Sequence, residues 1–205
     1  MYKVKRNTDG EIYAMKKVLI SKLNQKEKDN AINEIRILAS IKNQNIISYK
    51  EAFYDERSSY LCIIMEYADD GDLESKINQK IKSNTFFTQN EVINIFIQII
   101  NGLKVLHERK IIHRDLKSAN IFMTKNGLVK IGDLNVSKVL KMGLGYTQTG
   151  TPYYAAPEVW KDMPYDFKAD IWSLGCILYE MTCLKPPFRG NNMEAVYNKI
   201  MKGSL

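Results

Sequence analysis

Alternating apolar and polar residues fill the first third of the chain, a pattern typical of half-buried strands. Val4 and Ile12 lie on either side of Asn7-Thr8-Asp9-Gly10, where the Asp-Gly pair suits the positive φ angles of a tight hairpin. Two more alternating runs follow after a helical stretch. The pattern therefore predicts antiparallel strands at 2–6, 11–18, 47–54 and 59–65.

A period of three to four residues marks the predicted helices. Ala31, Ile35 and Leu38 share one helical face, which predicts an amphipathic helix at 25–41 within the strand-rich part. Beyond residue 72 the pattern is mainly helical, and Thr88 and Glu91 have the spacing of a capping box. The stripe after this cap consists of Val92, Phe96, Ile99, Leu103 and Leu106. A later helix, apolar nearly all round and therefore expected to be buried, contains Ile171, Trp172, Leu174, Ile177, Leu178 and Met181.

A polar segment at 68–72 separates the strand-rich part from the helix-rich part and predicts a flexible hinge between two lobes. The expected domains are a small lobe at 1–66 and a large lobe at 67–205. Within the large lobe, Lys125-Asn126-Gly127 joins two short apolar runs and predicts another hairpin, at 121–131. The predicted fold class is α+β, with a small antiparallel β lobe containing one helix and a mainly helical large lobe.

Composition excludes several classes of protein. The 205 residues carry a formal net charge of +7, and 45% of them are hydrophobic, as in ordinary globular proteins. The apolar runs are too short for a membrane-spanning helix, so no membrane partner is expected. The basic residues are scattered among acidic ones, which argues against a nucleic-acid partner. The three cysteines show no C-x-x-C spacing, which argues against a zinc site and favours the cytoplasm.

The clearest chemical signal is the stretch His113-Arg114-Asp115-Leu116-Lys117-Ser118-Ala119-Asn120, which matches the catalytic-loop pattern H-R-D-L-x-x-x-N. Asp133 follows a strand-like run, and Ala156-Pro157-Glu158 closes the loop after it. Upstream, Lys16 completes an Ala-x-Lys pattern on a predicted strand, and Glu34 lies on the predicted helix. These ordered signatures resemble a eukaryotic protein kinase domain over essentially the whole chain. Downstream, the run 170–175 resembles the kinase helix that anchors the catalytic loop.

Shorter strings refine the resemblance. Lys117 and the run 150–154, Gly-Thr-Pro-Tyr-Tyr, resemble the serine/threonine branch. That run, together with 2–6 and 64–67, is most similar to the NIMA-related kinases. The resemblance implies a bilobal kinase fold and transfer of the ATP γ-phosphate to Ser/Thr hydroxyls of protein substrates, with Mg²⁺. It also implies a cytoplasmic protein associated with the cytoskeleton or the cilium.

The resemblance assigns the catalytic roles. Asp115 would accept or orient the proton of the substrate hydroxyl, and Lys117 would stabilise the transferred phosphate. Lys16, held by Glu34, would contact the α- and β-phosphates. Phosphoryl transfer spreads negative charge over the phosphate oxygens, so cations at these positions suit the chemistry. Taken singly, Lys16 and Glu34 are more typical of an exposed surface, and Asp115 could be a capping carboxylate in a turn. Only the ordered spacing favours a site.

The same resemblance implies the ligand contacts. Asn120 and Asp133 would bind Mg²⁺, which prefers oxygen ligands. The backbone of Glu66 and Ala68 would bond to the base, and Asp72 would lie near the ribose. The residues implied at the nucleotide pocket are Ala14, Lys16, Met65, Glu66, Ala68, Asp72 and Phe122. In the activation loop, Thr147 and Thr149 are the implied phosphorylation positions, and Thr151 is expected to pack beside Asp115 and Lys117.

Two departures from the kinase pattern leave a second function open. No glycine-rich loop precedes Lys16, so the small lobe is expected to lack its first strand and that loop, with weakened nucleotide binding. The large lobe is expected to lack its last helices, since no arginine follows Arg189 to pair with Glu158, so the fold is expected to be incomplete at both termini. The usual D-F-G is Asp133-Leu134-Asn135, in which Leu134 stays apolar and Asn135 tolerates positive φ. The alternative is a catalytically weak or inactive kinase-like fragment that acts as a binding module. The sequence leaves the oligomeric state open.

Overall fold

The computed structural model describes residues 1–21, 24–55, 57–134 and 153–203, with the side chain of Glu34 outside the description. Four strands lie in the first third: β1 (Tyr2–Lys5), β2 (Ile12–Leu19), β3 (Tyr49–Asp55) and β4 (Tyr60–Glu66). They form one antiparallel sheet in the order β1-β2-β4-β3. The strand predictions are confirmed to within about two residues.

The loop between β1 and β2 spans the predicted residues 7–10, but its Asp-Gly pair does not take two positive φ angles. Arg6 N–H donates to Glu11 O at 2.8 Å, and Gly10 N–H donates to Arg6 O at 2.9 Å. Gly10 takes the positive φ, at 77°, and Asp9 does not. The Asp9 side chain instead accepts the Glu11 N–H at 3.0 Å and pairs with Arg6. These local bonds therefore close a four-residue loop at 7–10, the length that the predicted strands leave between them.

Helix α1 (Gln25–Ala39) packs against β3. Ala31, Ile35 and Leu38 are buried along it, as the periodicity predicts. Asn24 caps the helix and forms a reciprocal capping box with Glu27, a signal that the sequence interpretation missed.

The rest of the chain is mainly helical. Its elements are α2 (Leu73–Lys82), α3 (Gln89–Glu108), a 3-10 turn (Ser118–Asn120), β5 (Ile121–Met123), β6 (Val129–Ile131), α4 (Pro157–Trp160), α5 (Phe167–Cys183) and α6 (Met193–Lys202). The capping box at Thr88 and Glu91 is present, with bonds of 2.6 Å and 3.2 Å. Four residues of the predicted α3 stripe, all but Phe96, are buried. The β5–β6 hairpin is confirmed.

Helix α5 is only partly the buried helix that its composition predicts. Leu174, Ile177 and Met181 are buried, but Ile171 is 49% exposed. Buried polar residues replace some apolar ones on the inner side, namely Asp170, Ser173 and Glu180. The interpretation was therefore wrong at Ile171, because the helix has one solvent-facing side.

Backbone hydrogen bonds join the sheet to the hairpin below it. Ile47 N–H donates to Ile131 O at 2.8 Å, and Ile131 N–H donates to Asn45 O at 2.9 Å. The segment predicted as a flexible hinge is itself bonded to β5, since Asp70 N–H donates to Met123 O at 3.0 Å. In the described part of the chain, no helix has the length and apolarity to cross a membrane. The result is an α+β fold in which backbone hydrogen bonds to β5 and β6 connect the sheet-containing part of the chain to the helical part.

Candidate active site

A cavity of about 480 Å³ lies between the sheet, the segment after β4 and the β5–β6 hairpin. Its volume is in the range of small-molecule sites. The predicted site residues that line it are Ala14, Lys16, Met65, Glu66, Ala68, Asp72, Asn120, Phe122 and Asp133. Residues from strands, a linker and a loop that are far apart in sequence therefore share one cavity.

Lys16 and Asp133 form an ion pair inside this cavity. Lys16 lies on β2, opposite Ile63 of β4, and Asp133 follows β6 with a positive φ of 53°. A non-glycine residue rarely adopts this φ, and such residues cluster at functional sites. The expected pair between Lys16 and Glu34 stays a prediction, because the Glu34 side chain is outside the described part.

Asp115 is the centre of a second group of polar contacts. Lys117 Nζ lies 3.0 Å from Asp115 Oδ2. Asn120 Nδ2 donates to Asp115 O at 2.7 Å and to Asp115 Oδ2 at 3.2 Å. The Asp115 side chain is 50% exposed, so it is accessible to a substrate from solvent. Asn120 links the two groups, because it both contacts Asp115 and lines the cavity.

Two buried side chains, Asp170 and His113, form hydrogen bonds with the backbone of the catalytic loop and the residues near it. Asp170 accepts the N–H groups of His113 and Arg114. His113 is fully buried, and its Nε2 lies 3.0 Å from Gly132 O while its Nδ1 accepts the Asp115 N–H at 3.3 Å. A carbonyl only accepts, so the ring proton is on Nε2. Burial lowers the pKa of His113, which agrees with this neutral form.

The donor set suits a hard divalent cation. Asn120 uses its Nδ2 in bonds to Asp115, which leaves its Oδ1 as the atom for a metal. The carboxylate of Asp133 lines the same cavity. Within the described residues no group of three or more His, Cys, Asp or Glu side chains forms a metal cage. Mg²⁺ is usually bound by one or two protein oxygens together with phosphates and water, so these residues fit it.

Part of the cavity lining is apolar. Ala14 of β2 and Phe122 of β5 line it, together with Met65, which is 4% exposed and also belongs to the core. Asp72 lines the cavity too, and its Oδ1 caps α2 by accepting the Ser75 N–H at 2.7 Å. This cap sets the direction of the Asp72 carboxylate.

A slightly larger cavity, of about 530 Å³, lies between α2, the start of α3 and the β5–β6 turn. It contains no predicted site residue, and two of its lysines are already paired within it, Lys76 with Asp70 and Lys80 with Glu91. The smaller cavity is therefore the better candidate, because it brings the predicted residues together.

Three polar contacts that involve buried side chains were missed by the sequence interpretation. Lys130 of β6 pairs with Glu66 at 2.8 Å. Tyr154 Oη donates to Glu180 at 2.6 Å and shares a hydrogen bond with Ser118 Oγ at 2.9 Å. Burial raises the pKa of both Tyr154 and Glu180. No local signal marked Lys130, because side chains alternate along a strand and a lysine between two buried residues is expected on the opposite, usually exposed face.

The activation-loop predictions lie outside the described residues. They concern Asn135, Thr147, Thr149 and Thr151. Leu134, at the edge of that segment, is 1% exposed and joins the core, as its apolar character predicts.

Comparison with known proteins identifies the protein family to which this chain belongs. The family described as the protein kinase domain matches residues 1–205, and the chain belongs to it.

Within that class the relatives are NIMA-related kinases, as the short strings predict. The chain is 42% identical over 204 residues to Serine/threonine-protein kinase Nek1 of Mus musculus, covering 98% of this chain and 17% of that protein. It is 41% identical over 204 residues to Nek3 of Mus musculus, covering 98% and 39%. It is 41% identical over 202 residues to Nek5 of Homo sapiens, covering 97% and 28%. The chain thus spans at most 39% of the length of these three relatives.

Proposed function

We propose that this chain is a NIMA-related serine/threonine kinase domain that transfers the γ-phosphate of ATP to Ser or Thr hydroxyls of proteins. The observation that carries the proposal is the single cavity lined by Lys16, Asn120 and Asp133, with Asp115 bonded to Asn120 at its edge. Cations and oxygen ligands are what a dissociative phosphoryl transfer needs.

In the proposed mechanism Asp115 receives the proton of the substrate hydroxyl. The hydroxyl oxygen bonds to the γ-phosphorus as the bond to the β-phosphate oxygen breaks, and ADP leaves. Lys117 Nζ, 3.0 Å from Asp115 Oδ2, lies where it would neutralise the transferred phosphate. Lys16 would exchange its partner Asp133 for the α- and β-phosphates.

The remaining residues would bind and orient the nucleotide. Ala14, Met65 and Phe122 would enclose the adenine, the backbone of Glu66 and Ala68 would bond to it, and Asp72 would lie near the ribose. Mg²⁺, when bound, neutralises charge on the phosphates. Asn120 and Asp133 would hold it, and both line the cavity.

Regulation and location follow from the family resemblance. Phosphorylation at Thr147 or Thr149 would add negative charge that pairs with Arg114, and Thr151 would pack beside Asp115 and Lys117. The proposed location is the cytoplasm, in association with the cytoskeleton or the cilium.

The decisive experiment compares phosphate transfer from γ-labelled ATP to casein by the wild type and Asp115→Asn. The variant should transfer at least about a hundredfold more slowly, because the group that receives the proton is lost. Glu108→Gln is the matched control, since the Glu108 side chain is 58% exposed and its ion pair with Lys104 lies on the surface.

Equal transfer by the wild type and Asp115→Asn would contradict the catalytic proposal. ATP binding without transfer in the wild type would instead favour the non-catalytic binding module.

A further inference from the structure

Lys130 is a buried lysine in the middle of β6. It is 7% exposed, and its neighbours Val129 and Ile131 are buried as well. Its Nζ lies 2.8 Å from Oε1 of Glu66, the last residue of β4. The pair therefore joins the hairpin that precedes Asp133 to the strand end that lines the cavity.

The second carboxylate oxygen of Glu66 is also bonded. Glu66 Oε2 accepts the Ser48 N–H at 2.9 Å, and the Glu66 N–H donates to Ser48 O at 2.9 Å. The Glu66 side chain is 24% exposed. Two hydrogen bonds therefore join Glu66 to Ser48, and the ion pair with Lys130 joins it to β6.

A buried ion pair of this kind adds little net stability, because desolvating the two charges offsets most of their attraction. Removing one partner is different, since it leaves the other charge buried and unpaired. The pair is thus better explained by its effect on the position of the backbone than by its effect on the free energy of unfolding. It sets the position of the Glu66–Ala68 backbone relative to β6, which leads directly into Asp133.

We propose that Lys130 is a positioning residue for nucleotide binding. Through Glu66 it holds the proposed adenine-binding backbone at a set distance from the proposed metal ligands Asn120 and Asp133. The inference rests on the proposed function, because it assigns Lys130 to the same nucleotide site. Loss of the pair should therefore weaken ATP binding more than it slows phosphate transfer.

The test measures KM and kcat for ATP, with direct titration of Mg-ATP binding, in Lys130→Met. We expect KM and Kd to rise about fivefold, the size of effect seen when a coupling contact is lost, while kcat changes less than about twofold. Lys125→Met is the matched control, because it removes the same charge from an exposed position of the same hairpin.

A double-mutant cycle separates positioning from a general loss of stability. Glu66→Gln should raise KM in the wild-type background and have little further effect in Lys130→Met, because both changes remove the same contact. Lys130→Arg should restore part of the affinity. Thermal melting without nucleotide shows whether each variant is folded, and Lys130→Gln replaces Lys130→Met if the latter does not fold.

The outcomes separate this inference from the proposed function. A wild type that binds ATP, with an unchanged KM in the folded Lys130 variant, would overturn the inference alone. Additive effects of the Lys130 and Glu66 changes, or a loss of kcat that follows the melting temperature, would also overturn it. A wild type that does not bind ATP would contradict the proposed function and this inference together.

Discussion

Asp170 accepts the backbone N–H of His113 at 2.8 Å, although 57 positions separate the two residues in the chain. Its other oxygen accepts the Arg114 N–H at 2.9 Å, where Arg114 has an uncommon positive φ of 70°. Asp170 is 1% exposed, so water does not compete for these bonds. The position of Asp115, the next residue along, is therefore determined from α5.

Replacing Asp170 by alanine should destabilise the chain. The buried His113 N–H and the part-buried Arg114 N–H would lose their acceptor, and His107 Nε2 would lose its contact with Asp170 at 2.8 Å. Each buried group left unpaired costs roughly 1–3 kcal/mol. Urea denaturation should show a loss of about 2–5 kcal/mol, and Asp170→Asn, which keeps one acceptor oxygen, should lose less. A stability equal to that of the surface variant Glu108→Ala would show that Asp170 does not hold the loop.

Gly102 of α3 lies close to the backbone of the loop after α1. A Cβ there would lie 2.5 Å from Asn45 O and 3.1 Å from Ile131 Cδ1. Gly102→Ala should therefore destabilise by about 1–3 kcal/mol, because backbone has to move. Gly175 of α5 is the matched control. Among the described residues no atom lies within 4 Å of a Cβ placed there, so Gly175→Ala should be neutral or stabilise by about 0.5–1 kcal/mol. Chemical denaturation measures the free energy of unfolding of both variants. Equal changes in this free energy for Gly102→Ala and Gly175→Ala would contradict the packing argument.

Glu180 should make stability depend on pH. Burial raises its pKa above the ordinary 4.5, and in the described part of the chain no cation lies within ion-pair distance of it. The folded chain therefore holds this proton more tightly than the unfolded chain. Raising the pH from 4.5 through the higher folded pKa should remove stability.

The measurement is the free energy of unfolding of the wild type and Glu180→Gln, by urea, between about pH 5 and pH 8. Glutamine keeps an acceptor for the Tyr154 hydroxyl without the charge. As the pH rises, the free energy of unfolding of Glu180→Gln should increase relative to that of the wild type. Burial lowers the pKa of His113, which has the opposite effect on stability, but this effect is the same in both proteins and cancels in the difference. A difference that does not change with pH would show that Glu180 keeps its ordinary pKa.

Several parts of this protein could be predicted from neighbouring residues alone. The capping box at Thr88 and Glu91 and the apolar stripe of α3 are local patterns, and both are confirmed. Helix α2 was missed as a separate element because it is only ten residues long and follows its cap, Asp72, directly. The exposed Ile171 was predicted wrongly, because hydrophobicity alone does not show which side of a helix faces solvent.

The sequence by itself determined the class of the protein and most candidate residues of its site, because the motif around Asp115 combines many residue types in a set order. Only the tertiary structure decided which buried charges hold that site together. The partners of Asp170 and Lys130 lie on other elements, far along the chain. Such pairs form only when packing removes both groups from water, so that each becomes the hydrogen-bonding partner of the other. A local sequence pattern does not show which distant residues packing brings together.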